Sequence, residues 1–416
     1  MSAERHSIPA SEMQKSLEEH SDFEEPHTEG TLRGWLATFG NLQLTNCKWY
    51  SYVSKREFLS DFTPSQISWI GSVPLALQFI VGAISGKLFD KGFFHALMVT
   101  GSLLLLFSSF MLSLAQPQHF YQVILSQGVG MGIAMGILLL PSLGLVSQYF
   151  RKQRAVAMGI LIASGALGAV IYPILLNHVI GKPGLGFPWA VRFVAFINLG
   201  QLVTANLIMK PRAVGIRREP VDMGKFGTIL RILFLGFWGI FFPYFYLQLF
   251  SGEHGVSPNF LTWAIPLLNA GATLGRFTPN FVADRYGSLN VIIPSGLLSG
   301  GLVWALLGAK TTAGVTIFAL AYGFVSGAFL TLATPAVAAF SQSPTLNDVG
   351  LRMGIGCLFI GVAVLTGNPI AGSLLDPPRD LWWRPLTFSC TTLFAGTSGL
   401  VVARQALVKR KGVQYV

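Results

Sequence analysis

Eleven runs of roughly 17 to 37 residues carry no Asp, Glu, Lys or Arg: 62–86, 96–118, 120–150, 155–181, 193–209, 232–252, 254–275, 286–309, 311–347, 353–375 and 385–403. A helix needs about 20 apolar residues to cross the hydrocarbon core of a bilayer. A soluble chain of 416 residues would place charges on the exposed face of nearly every helix. Here charged residues are 11% of the chain and mean hydropathy is +0.56. The pattern predicts an all-α, polytopic membrane protein. A β-barrel is excluded, because its strands alternate over about 10 residues instead of running apolar for 20.

The net charge of +11 is distributed as topology requires. Residues 1–33 hold eight acids and three bases, leaving 26 bases and 10 acids for the rest. One set of alternate loops carries Lys87 and Lys91, then Arg151, Lys152 and Arg154, then Lys210 to Lys225, Arg285, Arg352 and the tail from Arg404 to Lys411. The opposite set is nearly bare. Basic loops stay cytoplasmic, so the helix near 62–86 runs inward and the C-terminus lies inside. Topology accounts for the basic charge, and no nucleic-acid partner is expected. Cys47, Cys357 and Cys390 are scattered, with no framework of pairs. No basic-then-apolar signal opens the chain, and no Asn-x-Ser/Thr sequon occurs.

The stretch 210–227 combines Pro, Gly and Arg and reads as a linker. Six spans follow it and five precede it. Segment 34–50 starts like a span and then fails at Asn41, Gln43, Asn46 and Lys48; a central Lys alone costs roughly 2.5–3.5 kcal/mol on insertion scales. Eleven clear spans therefore stand where twelve are expected. The turn Gly86-Lys-Leu-Phe-Asp90-Lys91-Gly92 recurs beyond the linker as Asn280-Phe-Val-Ala-Asp284-Arg285-Tyr-Gly287. We divide the chain into a disordered acidic tail of cytoplasmic type (1–33), an N-terminal bundle with a degraded first helix (34–209), a cytoplasmic linker (210–228), a C-terminal bundle (229–404) and a basic cytoplasmic tail (405–416). Two such halves around a midplane site are a common transporter plan.

These motifs resemble the major facilitator superfamily, and within it the monocarboxylate-porter-like group of fungi. The finer likeness is carried by Glu29-Gly-Thr-Leu-Arg-Gly34-Trp35, by Pro64-Ser-Gln-Ile-Ser-Trp69, and most specifically by Tyr149-Phe-Arg-Lys-Gln-Arg154-Ala-Val-Ala-Met-Gly159 continuing to Pro173. The first turn motif is one residue shorter than the family's. Members also carry about 20 more apolar residues before Pro64, which points to a deletion or a mis-spliced gene model. The resemblance implies that Gly86, Asp90, Lys91, Gly92, Asp284, Arg285 and Gly287, with Arg151 and Arg154, gate the cytoplasmic side. In animal monocarboxylate porters an aspartate one turn before the equivalent of Arg276 couples protons; Ala272 holds that position here, so that relay is not expected.

Within the spans, Arg276 is the sharpest candidate, because an intramembrane guanidinium is expensive and usually functional. It either faces a cavity and pairs with an anion or snorkels to the nearby cytoplasmic end. Asn269, Gln78, Gln127, Tyr172, Tyr244, Gln248 and Asn368 are further candidate cargo contacts, with helix-to-helix bonding as the plainer role. Phe241, Phe242, Tyr244, Phe245 and Trp263 could line a pocket for a planar solute. His95, His119, His178 and His254 lack ligand spacing, no P-loop or catalytic motif is present, and no metal, cofactor or enzymatic activity is expected. The resulting expectation is a monomeric secondary transporter in the cell membrane, whose partners are a small molecule and the bilayer. By resemblance its cargo is a fungal secondary metabolite for export; uptake of a monocarboxylate or a vitamin such as riboflavin is the alternative, and a non-transporting membrane sensor a further one.

Overall fold

A computed structural model describes residues 62–149, 154–180, 182, 184–211, 223–340, 349–375 and 381–412. The acidic tail, the weak segment 34–50, Arg151 and most of the linker lie outside these residues. Eleven helical rods run through the described chain, one for each uncharged window, with no strand among the described residues. They are α1 (Pro64–Asp90), α2 (Phe94–Leu112), α3 (built of Phe120–Val123, a π-helical stretch Ile124–Gly130, and Met131–Tyr149), α4 (Arg154–Ile180) and α5 (Gly186–Ile208). Then come α6 (Met223–Ile240 and Phe242–Glu253, meeting at Phe241), α7 (Pro258–Tyr286), α8 (Ser288–Ala305), α9 (Thr312–Ala339), α10 (Val349–Ser373) and α11 (Trp383–Lys411).

Local chemistry sets the boundaries. At the start of α1 a capping box closes: Thr63 Oγ1 accepts from the Gln66 amide at 3.3 Å, and Gln66 Oε1 accepts from the Thr63 amide at 2.9 Å. Its end is the first turn motif, where Gly92 sits at φ 90°; α7 ends in the second, where Gly287 sits at φ 89°. In both, the glycine amide bonds the carbonyl just before the aspartate, Phe89 at 2.9 Å and Ala283 at 2.8 Å. The first turn closes three residues back and the second four, which is how the one-residue difference in length is absorbed. Only glycine adopts this left-handed backbone without strain.

Ten helices are long and apolar enough to cross a membrane among the described residues. The remaining rod, α7, is as long but more polar, carrying Asn269, Arg276, Asn280 and Asp284. Large apolar side chains such as Leu103, Phe107, Leu207, Ile317 and Val402 point outward on the other rods, the surface a bilayer would cover.

Packing repeats between the halves. In the first half α1 packs on α3, α3 on α2, and α2 on α5; in the second, α7 packs on α9, α9 on α8, and α8 on α11. The halves meet along two seams, α1 against α10 and α4 against α7. If α1 counts as the second helix of its half, both seams pair a second with a fifth helix, as a two-fold axis demands. Close approach relies on small residues. A Cβ on Gly136 would stand 2.8 Å from the Leu77 carbonyl oxygen, and one on Gly361 3.0 Å from that of Ala76. Gly271 and Gly275 of α7 lie against the backbone of Leu320 and Phe324, while Gly323 and Gly327 of α9 lie against Leu268 and Ala272.

The basic helix ends share one side. Tyr149 Oη donates to the Lys210 carbonyl at 2.8 Å, joining the ends of α3 and α5, and Arg404 of α11 donates to Asn290 of α8. At the opposite side, Trp382 Nε1 donates to Glu253 Oε2 at 2.8 Å.

Candidate functional site

Between the halves lies a cavity of about 590 Å³. Its walls come from α1, α3 and α4 on one side and from α6, α7, α9 and α10 on the other. Two irregular rods shape the first wall. Pro74 lies inside the continuous helix α1, where it cannot donate a backbone hydrogen bond, and a π-helical stretch is set within α3. The opposite wall bends at Phe241, just before Pro243, so that Phe241, Tyr244 and Phe245 face inward. The Phe245 ring fills the space that a side chain on Gly71 would need.

The cavity gathers six of the expected contacts: Gln78, Gln127, Tyr244, Gln248, Asn269 and Arg276. Arg276 Nη1 donates to the Ile162 carbonyl of α4 at 3.3 Å, a bond across the halves, and its Nε is buried without a partner. The guanidinium therefore reaches into the inter-half space instead of snorkelling outward. Tyr244 Oη and Ser326 Oγ share a hydrogen bond of 3.0 Å. Asn269 Nδ2 donates to the Ile265 carbonyl at 3.0 Å, and Gln248 Nε2 to that of Leu261 at 2.9 Å. Gln78 and Gln127 are buried, and the side-chain oxygen of each lacks a partner.

Two expected contacts lie outside the cavity lining. Tyr172 donates from Oη to Asn198 Oδ1 at 2.9 Å and to Gln201 Oε1 at 3.2 Å, joining α4 to α5 within the first half. Asn368 donates from Nδ2 to Ser72 Oγ at 3.2 Å and accepts from Tyr246 Oη on its carbonyl at 3.0 Å, so it binds the α1–α10 seam. Next to it, Ser65 Oγ donates to the Pro369 carbonyl at 3.0 Å. Phe242 is stacked on Tyr246 in the core, and Trp263 is exposed on the outer surface; neither lines the cavity. Gly86, Asp90, Lys91, Gly92, Asp284, Arg285 and Gly287 stand at the basic ends of α1 and α7, where Gly86 packs on Leu140. Arg154 is the first residue of α4.

The cavity also holds residues that a scan for polar groups inside spans passes over. Glu253, the last residue of α6, is the acid among the described lining residues. It falls between two uncharged windows, so it reads as a loop charge, and it stays exposed at the helix end where it borders the cavity. Met131, Met135 and Cys357 line the apolar middle; nothing distinguishes them in sequence from ordinary lipid-facing residues.

A polytopic helical protein with two matched halves and one shared cavity has the build of a secondary transporter. Comparison with known proteins gives the family. Residues 35–229 match the Major Facilitator Superfamily. The chain is 34% identical over 384 residues to the MFS-type transporter dbaD of Emericella nidulans, covering 88% of this chain and 85% of that protein. It is also 34% identical over 367 residues to the aspyridones efflux protein apdF of the same fungus, covering 85% and 74%. Over 405 residues it is 34% identical to the agnestins efflux protein AgnL12 of Paecilomyces divaricatus, covering 94% and 91%. The chain belongs to the major facilitator superfamily and is a multi-pass membrane transporter.

Proposed function

We propose that the protein exports a fungal secondary metabolite across the cell membrane by alternating access, working as a monomer and leaving its cargo chemically unchanged. The observation that carries this reading is the cavity. At about 590 Å³ it sits in the middle of the range of roughly 300–1,000 Å³ that holds drug-sized ligands, and is far larger than a three-carbon acid needs. Its aromatic and aliphatic walls suit a planar, largely apolar molecule, and Arg276 supplies one cation for an acidic group. Relatives named for efflux of aspyridones and agnestins support the same class of cargo.

Rocking about the two seams would expose the cavity to either side in turn. The Ser65–Pro369 and Ser72–Asn368 bonds lie towards the outer end of one seam, and the Arg276–Ile162 bond towards the basic end of the other. Opening either end must exchange such bonds. Deleting the gene in its host, with metabolites profiled inside and outside the cells, tests the reading. One compound should accumulate inside and fall outside; unchanged secretion of every metabolite overturns it.

A further inference from the structure

Gly71 of α1 meets Phe245 of α6 across the two halves. A Cβ built on Gly71 would stand 2.2 Å from Phe245 Cε1 and 2.9 Å from its Cζ, so the edge of the ring rests on bare backbone. Both residues line the cavity. Phe245 keeps part of its surface accessible, unlike Phe242 and Tyr246 beside it, which are buried. Its helix and α1 form neither of the two seams; the ring reaches over the space between the walls. Contacts along the α1–α10 seam give the depth of this bridge: Gly372 lies on Ser65, Asn368 is bonded to Ser72, and Gly361 lies on Ala76. Cys357 of α10 therefore stands about 16 Å from the Gly71 level towards the basic side, at 1.5 Å per residue. Glu253 stands about 12 Å from Phe245 towards the opposite side on the same measure. The cavity lining continues past the ring in both directions, with Ile67, Leu249 and Glu253 on the outer side and Phe237, Arg276 and Cys357 on the basic side.

We propose that Phe245, resting on Gly71, is the constriction of the passage that selects cargo by cross-section. Selectivity along a transport route follows the width of its narrowest point. A phenyl ring is a stiff bar held by two torsions, and a glycine opposite lets that bar reach the far wall. A flat, fused-ring cargo slides edge-on past the face of the ring, whereas a branched or globular molecule of equal volume has to displace it. The cavity volume sets how much the protein holds, and the ring sets the shape that passes. This rests on the transport reading above and adds to it the residue that limits the width of the cargo.

Cys357 is a native reporter, because it lines the cavity beyond the ring and is partly exposed. With Cys47 and Cys390 replaced by Ser, intact cells producing the full-length protein are treated from outside with two methanethiosulfonates of equal charge. One carries a trimethylammonium head and the other a wider tributylammonium head. Each rate is divided by that of Tyr121→Cys in a chain without other cysteines, since Tyr121 is exposed at the outer end of α3. With Phe245 in place the small reagent should reach Cys357 at least about tenfold faster than the large one, the scale on which packed side chains reject an oversized group. Phe245→Ala should bring the two rates within about twofold of each other by speeding the large reagent, and Phe245→Trp should widen the difference. Loss of folding moves both rates together and leaves this ratio without the opposite shifts of the two variants. Equal rates with Phe245 in place overturn the proposal. So does a ratio that Phe245→Ala leaves unchanged, or failure of both reagents to reach Cys357 even in that variant. Failure of the transport reading shows elsewhere, as normal secretion by the deletion strain, whatever the ratio of rates.

Discussion

Arg276 is the residue whose placement most needs an explanation. A guanidinium within a span costs at least several kcal/mol unless its donors find partners, yet here one nitrogen is bonded to Ile162 and another has none. On the transport reading proposed above, the guanidinium lining the cavity is the cation that an acidic cargo would meet. Arg276→Gln should lower export of an acidic cargo by about tenfold or more, the scale of a lost charge-assisted bond. Arg276→Lys should recover only part of it, because an ammonium cannot reproduce the planar fork. Efflux measured at equal membrane abundance checks both; wild-type export by Arg276→Gln would remove the residue from the site. Polarity inside an uncharged run was enough to nominate five of the cavity residues, and Arg276, directly after the run 254–275, was a sixth because the helical pattern continues past it to Asp284. Polarity also nominated Tyr172 and Asn368, because sequence does not say whether a polar group spends its bonds on a neighbouring helix. Glu253 escaped for the opposite reason, since a charge at the end of a run looks like a loop charge.

At the scale of elements, glycines decide how closely the helices approach. Gly275 lies so near the Phe324 backbone that an added Cβ has nowhere to go. Backbone cannot rotate away as a side chain can. Gly275→Val should therefore destabilise the second half by about 1–3 kcal/mol, seen as a lower melting temperature in detergent; an unchanged melting temperature would mean that α7 and α9 are less tightly joined. The turn glycines make a different demand. Gly92 and Gly287 hold nearly the same positive φ, and Gly287→Ala should cost about 1–3 kcal/mol through backbone strain. If this turn also gates, transport will fall further than abundance does, which flux per folded molecule would reveal. The turn repeat was visible in the letters of the chain. The π-helical stretch was not, because nothing in Ile124–Gly130 departs from an ordinary apolar helix; packing against α1 and α2 selects it.

For the whole molecule, the two seams carry the consequences. If the halves rock, tying them together should stop transport. With the native cysteines removed, Ala76→Cys paired with Gly361→Cys should form a cross-link across the α1–α10 seam, where Gly361 lies against the Ala76 backbone. Flux should fall to background when the link forms and return on reduction. Persistent flux through the linked protein would exclude motion at this seam. The same repeat of contacts in each half also bears on the count of helices. Partners for α6 on α10 and α11 are present, whereas their counterparts in the first half would involve residues before Pro64.

Charge and apolar run length, taken from the letters alone, determined the class of this protein and the number of its rods among the described residues. Those properties follow from the cost of placing charge in hydrocarbon, a local property that each segment obeys by itself. Which polar groups share one cavity, which tie helices together, and which are left without partners was decided only by tertiary packing. A hydrogen bond is a relation between residues up to about 300 positions apart, as between Ser72 and Asn368, and no single segment contains it.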